Sequence, residues 1–168
     1  MQNVRISRTQ RPFSYVSPFS DREHTLLVLA TDSCITEAER RSVAAEVIAH
    51  NCKYAVCCGF GSDEWEEAID WAALEADDFS DNPKHFLMTT SHVDESIDDA
   101  IHFWWNNTSY ENYESTNFAI LVVGYDQDAE LELQKALSDY SIPFREDSPT
   151  NKKKDNKSEM ATPRKPSD

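Results

Sequence analysis

The sequence predicts an α/β protein with a four-stranded, mostly parallel sheet and helices on both of its faces. Four short, continuous apolar runs have the pattern of strands that are covered on both sides. Each run is followed by a stretch in which apolar residues recur every three or four positions, as in an amphipathic helix. Because strands and helices alternate strictly, parallel pairing through right-handed crossovers is favoured.

The predicted strands are five or six residues long, and none approaches the roughly 18 apolar residues that a membrane span needs. A polar residue or a helix-capping pattern stands near the start of each predicted helix. The strands are TLLVLA at 25–30, YAVCC at 54–58, FLMTT at 86–90 and FAILVV at 118–123. The predicted caps are Thr36 with Glu39, Ser62 or Asp63, Ser96, and Asp126.

Four strand-helix units of this kind are typical of a flavodoxin-like or Rossmann-like three-layer sandwich. We expect a strand order of about 2-1-3-4, numbering the four predicted strands along the chain. Ligands of such sheets bind beyond the carboxyl ends of the strands, near the point where the strand order reverses.

Charge divides the chain into three parts. The protein has 16 Lys and Arg against 31 Asp and Glu, a net charge of −15. Residues 1–22 carry a net charge of +3 and are expected to form an N-terminal arm, held through Phe13, Tyr15, Val16 and Phe19. Residues 23–144 form the predicted acidic α/β domain with a net charge of −20, and 145–168 form a disordered, polar and basic tail.

Composition excludes several classes of function. Three glycines are too few for the common phosphate-binding loops, so no cofactor is expected. Four irregularly spaced cysteines form neither a disulfide framework nor a zinc motif, which indicates reduced thiols and a cytoplasmic protein. An acidic domain repels nucleic acid and anionic membranes and attracts basic proteins.

Nucleophilic catalysis is one hypothesis for the carboxyl edge of the sheet. Cys58 or Cys34 could act with His92 as its base, oriented by Asp94 or Asp32. Neighbouring strand ends lie only about 5 Å apart, so these side chains could converge. The surrounding carboxylates would raise the pKa of the thiol, however, and buried structural cysteines are the simpler interpretation.

A divalent-metal site is a second hypothesis for the same edge, since carboxylates and imidazole are suitable ligands for Mg²⁺, Mn²⁺ or Ca²⁺. Helix capping and the helix dipole account for most of these acids without a metal, so no metal is predicted. The residues considered are Asp32, His92, Asp94, Glu95 and Asp126.

The density of acid is the most distinctive feature of the sequence. Between Ser62 and Asp99 there are thirteen acids and a single base, Lys84. Four of them recur at helical spacing on the second predicted helix, where like charges cost stability. This surface could serve solubility alone, or it could bind a cationic partner with Trp71 as an aromatic anchor. The predicted partner-binding residues are Asp63, Glu66, Glu67, Asp70, Trp71, Asp94, Glu95 and Asp98.

We therefore expect a non-catalytic, cytoplasmic protein that binds a basic macromolecule, such as a toxin or nuclease, as an immunity-type inhibitor. The alternative is a small hydrolase that uses Cys58, His92 and Asp94.

Two stretches, CCGFGSDEWEEAID and FLMTTSHVDESIDDAIHFWW, carry a resemblance. They are similar to the signature of an uncharacterised bacterial group of small α/β proteins, over roughly residues 24–137. The resemblance implies the same fold and contributes no catalytic residue.

Overall fold

The computed structural model describes residues 2–81 and 83–147. It contains six strands and four helices within those residues. In chain order they are β1 (Asn3–Thr9), β2 (His24–Ala30), α1 (Glu37–Ala49), β3 (Cys52–Gly59), α2 (Ser62–Ala76), β4 (Met88–His92), α3 (Ile97–Asn106), β5 (Asn117–Val123), α4 (Gln127–Asp139) and β6 (Phe144–Glu146). None of the described helices is long and apolar enough to cross a membrane.

The strands form one parallel sheet in the order β4-β3-β2-β5-β1-β6. The α/β class with a parallel sheet is confirmed, whereas the predicted count of four strands and the order 2-1-3-4 are wrong. That order would have placed β4 inside the sheet, between β2 and β5. The position beside β2 is taken instead by β5, whose apolar residues are buried on both faces, and the more polar β4 lies at the edge.

The strand that sequence reasoning missed in the N-terminal region is β1. It lies between β5 and β6, and Val4 and Ile6 are buried while the intervening Arg5 is partly exposed. This alternation is typical of a half-buried strand, but three arginines within and just after it obscured the pattern. Beyond β1, Phe13, Tyr15 and Phe19 are buried in the core, whereas Val16, the fourth residue named for the arm, is exposed.

The short strand β6 crosses the predicted boundary between domain and tail at residue 145. It pairs with β1, and Asp147 accepts hydrogen bonds from Arg5 and Ser7. The sheet therefore extends at both ends beyond the predicted 23–144 unit. The rest of the predicted tail, 148–168, lies outside the described residues.

Helices cover both faces of the sheet, as a three-layer sandwich requires. Helices α1 and α2 pack on one face around the buried Trp65, and α3 and α4 pack on the other around Trp104. The caps Thr36, Ser96 and Asp126 are found as predicted. The predicted cap of α2 at Ser62 or Asp63 is wrong, because the helix begins after Gly61 with no side-chain cap.

Candidate functional site

The strand order reverses between β2 and β5, where a sheet of this kind usually binds its ligand. Here Arg11 lies across that position. Its guanidinium donates to Asp32 Oδ2 and Glu39 Oε1, each at 2.7 Å, and to the Cys34 carbonyl at 2.9 Å. The Cys34 backbone N–H and Arg11 together lower the pKa of Asp32. The protein's own cation thus neutralises the acids of this crevice, which sequence reasoning did not foresee.

The metal-ligand candidates are dispersed along the carboxyl edge. Asp32 follows β2 and Asp126 follows β5, so they lie two and three strands from His92, or roughly 10 and 14 Å at the usual strand spacing. Asp126 caps α4 by accepting from the Ala129 backbone N–H at 2.8 Å. Within the described residues, no three His, Cys, Asp or Glu side chains are grouped as a metal site would need.

Cys58 and His92 are register partners on neighbouring strands and therefore lie on the same face of the sheet. His92 is buried, and its Nδ1 lies 2.7 Å from Glu95 Oε2. Its other nitrogen, Nε2, is buried without a hydrogen-bond partner among the described residues. Asp94, which sequence reasoning assigned to orient the imidazole, lies in an exposed turn with φ +57°, and the neighbouring Glu95 holds the ring instead.

The thiols are poorly placed for nucleophilic attack. Cys58 is 1% exposed, and burial raises its pKa to about 12. Cys57 points to the opposite face and is equally buried, with a pKa raised by burial and by the neighbouring Cys58. Cys34 is exposed, but it follows β2 and lies two strands away from His92.

The acids of α2 form a row on the outer side of that helix. The row consists of Asp63, Glu66, Glu67 and Asp70 and is called the α2 carboxylate row below. Asp70 Oδ1 accepts a 2.8 Å hydrogen bond from Thr89 Oγ1 on β4. No cation in the described part of the chain pairs with any of the four.

The fold disfavours the charged form of Asp70. Its pKa is raised, chiefly because the carboxyl is partly buried, and the charge of Glu66 one helical turn earlier adds to the effect. Other helix acids have cationic partners: Glu64 pairs with Arg40. The α2 carboxylate row is therefore a concentration of negative charge without a direct ion pair in the described residues, and Arg40 and Arg41 line a groove with only one of its members, Glu67.

Apolar side chains border the row. Trp71 is 44% exposed and contacts Phe79 edge to face, with ring centroids 5.9 Å apart. Leu74 and Phe79 are also exposed. Trp71 lines a groove of about 430 Å³ between α1 and α2. Alanine residues of both helices also line this groove. The sequence indicated that Trp71 lies off the apolar stripe of its helix, and its partner Phe79 was missed because it lies in the turn that follows.

The remaining predicted partner-binding residues lie around the start of α3, on the other side of the edge strand β4. Glu95 contacts His92, and Asp98 accepts a 3.0 Å hydrogen bond from the hydroxyl of Tyr140, the residue that follows α4. Asp98 thus faces α4 and is separated from the α2 carboxylate row by the sheet. The predicted partner-binding residues therefore form two groups on opposite faces of the sheet, and only the group on α2 forms one continuous surface.

Comparison with known proteins gives one similarity. A family model described as a domain of unknown function (DUF7684) matches residues 4–140. The matched range runs from β1 to the end of α4 and so includes the α2 carboxylate row, Cys58 and His92. No curated protein and no solved structure matches the chain significantly.

Proposed function

Because this chain belongs to the DUF7684 family, whose description assigns no activity, we propose a function from its own residues. The protein is a cytoplasmic, non-catalytic binding protein whose α2 carboxylate row docks on a basic macromolecular partner. The partner class that fits is a toxin or nuclease with a cationic cleft, so that the protein acts as an immunity-type inhibitor. Four free cysteines, three of them buried, agree with a reducing compartment.

The observation that carries this proposal is that the α2 carboxylate row holds four acids at helical spacing with no ion pair among the described residues; the raised pKa of Asp70 beside Glu66 agrees with it. A raised carboxyl pKa means that the folded protein disfavours the charged form. A cation placed beside these two groups would offset both their repulsion and their loss of hydration. Surface acids that serve solubility alone need not be concentrated on one side of a helix, where like charges without a counter-charge cost stability.

Trp71 supplies the apolar component that a tight interface needs. Charge complementarity accelerates association, but most binding energy comes from a few buried aromatic anchors. Trp71 and Phe79 are half exposed directly beside the carboxylate row. A partner that covers both would bury two aromatic rings and neutralise the acids in one contact.

If the partner has a cationic cleft, binding of the α2 carboxylate row to that cleft would inhibit the partner. An enzyme that acts on nucleic acid has a basic surface for the phosphate backbone. A row of carboxylates occupies such a surface by the same electrostatic attraction and excludes the polyanion.

The hydrolase alternative rests on the Cys58 and His92 pair, with Glu95 in place of Asp94. The unpartnered Nε2 of His92 favours it, because a base needs a free nitrogen. The burial of Cys58 and its pKa of about 12 oppose it, since the thiolate is the nucleophile. The geometry therefore supports binding better than catalysis.

The experiment compares two double variants of equal charge change on opposite faces of the sheet. E66Q/D70N removes two carboxylates of the row, and D128N/E132Q removes two exposed carboxylates at the same spacing on α4. Immobilised wild-type protein captures partners from the native cell, and each captured protein is then measured with the three forms by surface plasmon resonance. At low salt we expect E66Q/D70N to slow association roughly tenfold and D128N/E132Q to change it little.

The proposal also requires that the captured protein be basic and that affinity fall steeply with added salt. A partner whose association rate is the same for both double variants would contradict it, as would binding that does not depend on salt.

A further inference from the structure

The two edges of the sheet differ in how they are protected. At one edge, β6 is only three residues long, and its Arg145 and Glu146 are both exposed. At the other, β4 has five residues, MTTSH, with no proline, lysine or carboxylate. Natural edge strands are usually blunted by charges, prolines or shortness, because unpaired N–H and C=O groups invite another strand. Only β6 shows these features.

The outer side of β4 has no backbone partner in the described residues. Its backbone hydrogen bonds run to β3, and none of the further backbone bonds of the described chain involves 88–92. Met88 is 39% exposed, and Phe86, which precedes the strand, is 50% exposed. The edge is thus accessible and has apolar side chains at its amino-terminal end.

Carboxylates flank this edge on both faces of the sheet. On the α2 face, Thr89 donates to Asp70, and Glu66 lies one turn earlier on the helix. On the α3 face, His92 is bonded to Glu95. Successive side chains of a strand point to opposite faces, so a strand added beside β4 would present its side chains to both groups of acids.

We propose that the open edge of β4 accepts an extended, cationic polypeptide segment as a seventh strand. This inference rests on the proposed function and specifies how the basic partner binds. Main-chain hydrogen bonds to β4 supply affinity that does not depend on sequence. Lys or Arg side chains opposite Thr89 and His92 reach Asp70 and Glu95, which restricts the edge to basic segments.

A second copy of this chain is the wrong occupant for the same edge. Two β4 edges paired together would bring Asp70 and Glu95 of each copy to one seam, and like charges across a strand pair are destabilising. The same carboxylates that attract a basic segment therefore prevent self-association through the most accessible edge of the sheet.

The experiment uses the full-length protein labelled with ¹⁵N and an end-capped, eight-residue peptide with lysine at every third position and valine between, so that successive lysines point to opposite faces of the sheet, as Thr89 and His92 do. Amide hydrogen exchange reports strand addition, because every second amide of β4 points away from β3 and gains a partner only if the peptide pairs with it. We expect the outward amides among 88–92 to exchange at least tenfold more slowly with the peptide. The matched peptide with glutamate in place of lysine should give no protection.

The outcomes separate this inference from the proposed function. Resonance shifts confined to α2, without protection of β4, would overturn strand addition and leave docking by the carboxylate row intact. Equal protection of β4 by the lysine and glutamate peptides would refute the selection for basic segments. Protection that is weakened several-fold in E66Q/D70N and unchanged in D128N/E132Q supports both proposals. No binding of the lysine peptide at all overturns strand addition, while the plasmon resonance comparison of the double variants decides docking by the carboxylate row separately.

Discussion

Lowering the pH from 7 to 5 should destabilise this fold through one buried imidazole, that of His24. Its Nδ1 lies 3.1 Å from the Arg22 carbonyl, and its Nε2 lies 2.7 Å from the Tyr15 hydroxyl. A carbonyl can only accept, so Nδ1 carries the proton and Nε2 accepts from Tyr15. This network ties the N-terminal segment to the first residue of β2; a protonated ring would have to donate to the Tyr15 hydroxyl instead and would place an uncompensated charge in a buried site.

Burial is the main reason that the pKa of His24 falls from 6.5 to about 4, and nearby His50 lowers it further. The unfolded chain therefore binds a proton below about pH 6.5, whereas the folded protein does not until about pH 4. The free energy of unfolding therefore has its full value above pH 6.5, the pKa of His24 in the unfolded chain, and decreases as the pH falls from 6.5 to about 4. The difference between these two pKa values lowers the free energy of unfolding, relative to pH 7, by about 2 kcal/mol at pH 5 and by about 3 kcal/mol at pH 4.

The assay is urea unfolding followed by tryptophan fluorescence at pH 7 and pH 5, for the wild type and for H24Q. Carboxylates titrate in both proteins, so the difference between their pH dependences isolates the imidazole. The wild type should lose about 2 kcal/mol more than H24Q over this interval. Y15F is the matched control: it should lose about 1 kcal/mol at pH 7 by removing one hydrogen bond, while keeping most of the pH dependence, because burial is the main cause of the lowered pKa.

Equal pH dependence in the wild type and H24Q would refute this reasoning. If H24Q does not fold, NMR titration of the wild type decides the question alone. A His24 ring that titrates near pH 6.5 in the folded protein would then be the contradicting result.

Three further predictions follow from described contacts. E66Q/D70N should raise the free energy of unfolding by about 0.5 kcal/mol at pH 7, since it removes repulsion within one helical turn; a loss of stability in urea would show that the row is not strained. A thiol reagent should modify Cys34 in the folded protein and the three buried thiols only after unfolding. The measurement is the number of thiols modified per folded molecule, which should be near one. G124A should cost about 2 kcal/mol or more, because φ is +95° and a Cβ would lie 2.8 Å from a neighbouring carbon, whereas G61A at φ +63° has more room and should cost less.

The sequence predicted correctly those strands whose own residues show that they are buried. Strands β2, β3 and β5 are continuous apolar runs because helices cover both their faces, and they were predicted to within two residues at each end. The third predicted strand was displaced by two residues, since Phe86 lies before β4. β1 was missed because its exposed arginines resemble a solvated segment.

What the sequence alone determined about the candidate site is the α2 carboxylate row and the position of Trp71 beside it, because helical periodicity is a local property. Tertiary structure alone decided that β4 lies at an open edge, that Asp70 contacts it, that Glu95 rather than Asp94 holds His92, and that Arg11 fills the crevice. Each of these depends on pairing between segments distant along the chain. Strand order and side-chain contact across strands are set by the packing of the whole sheet, and no short stretch of residues contains that information.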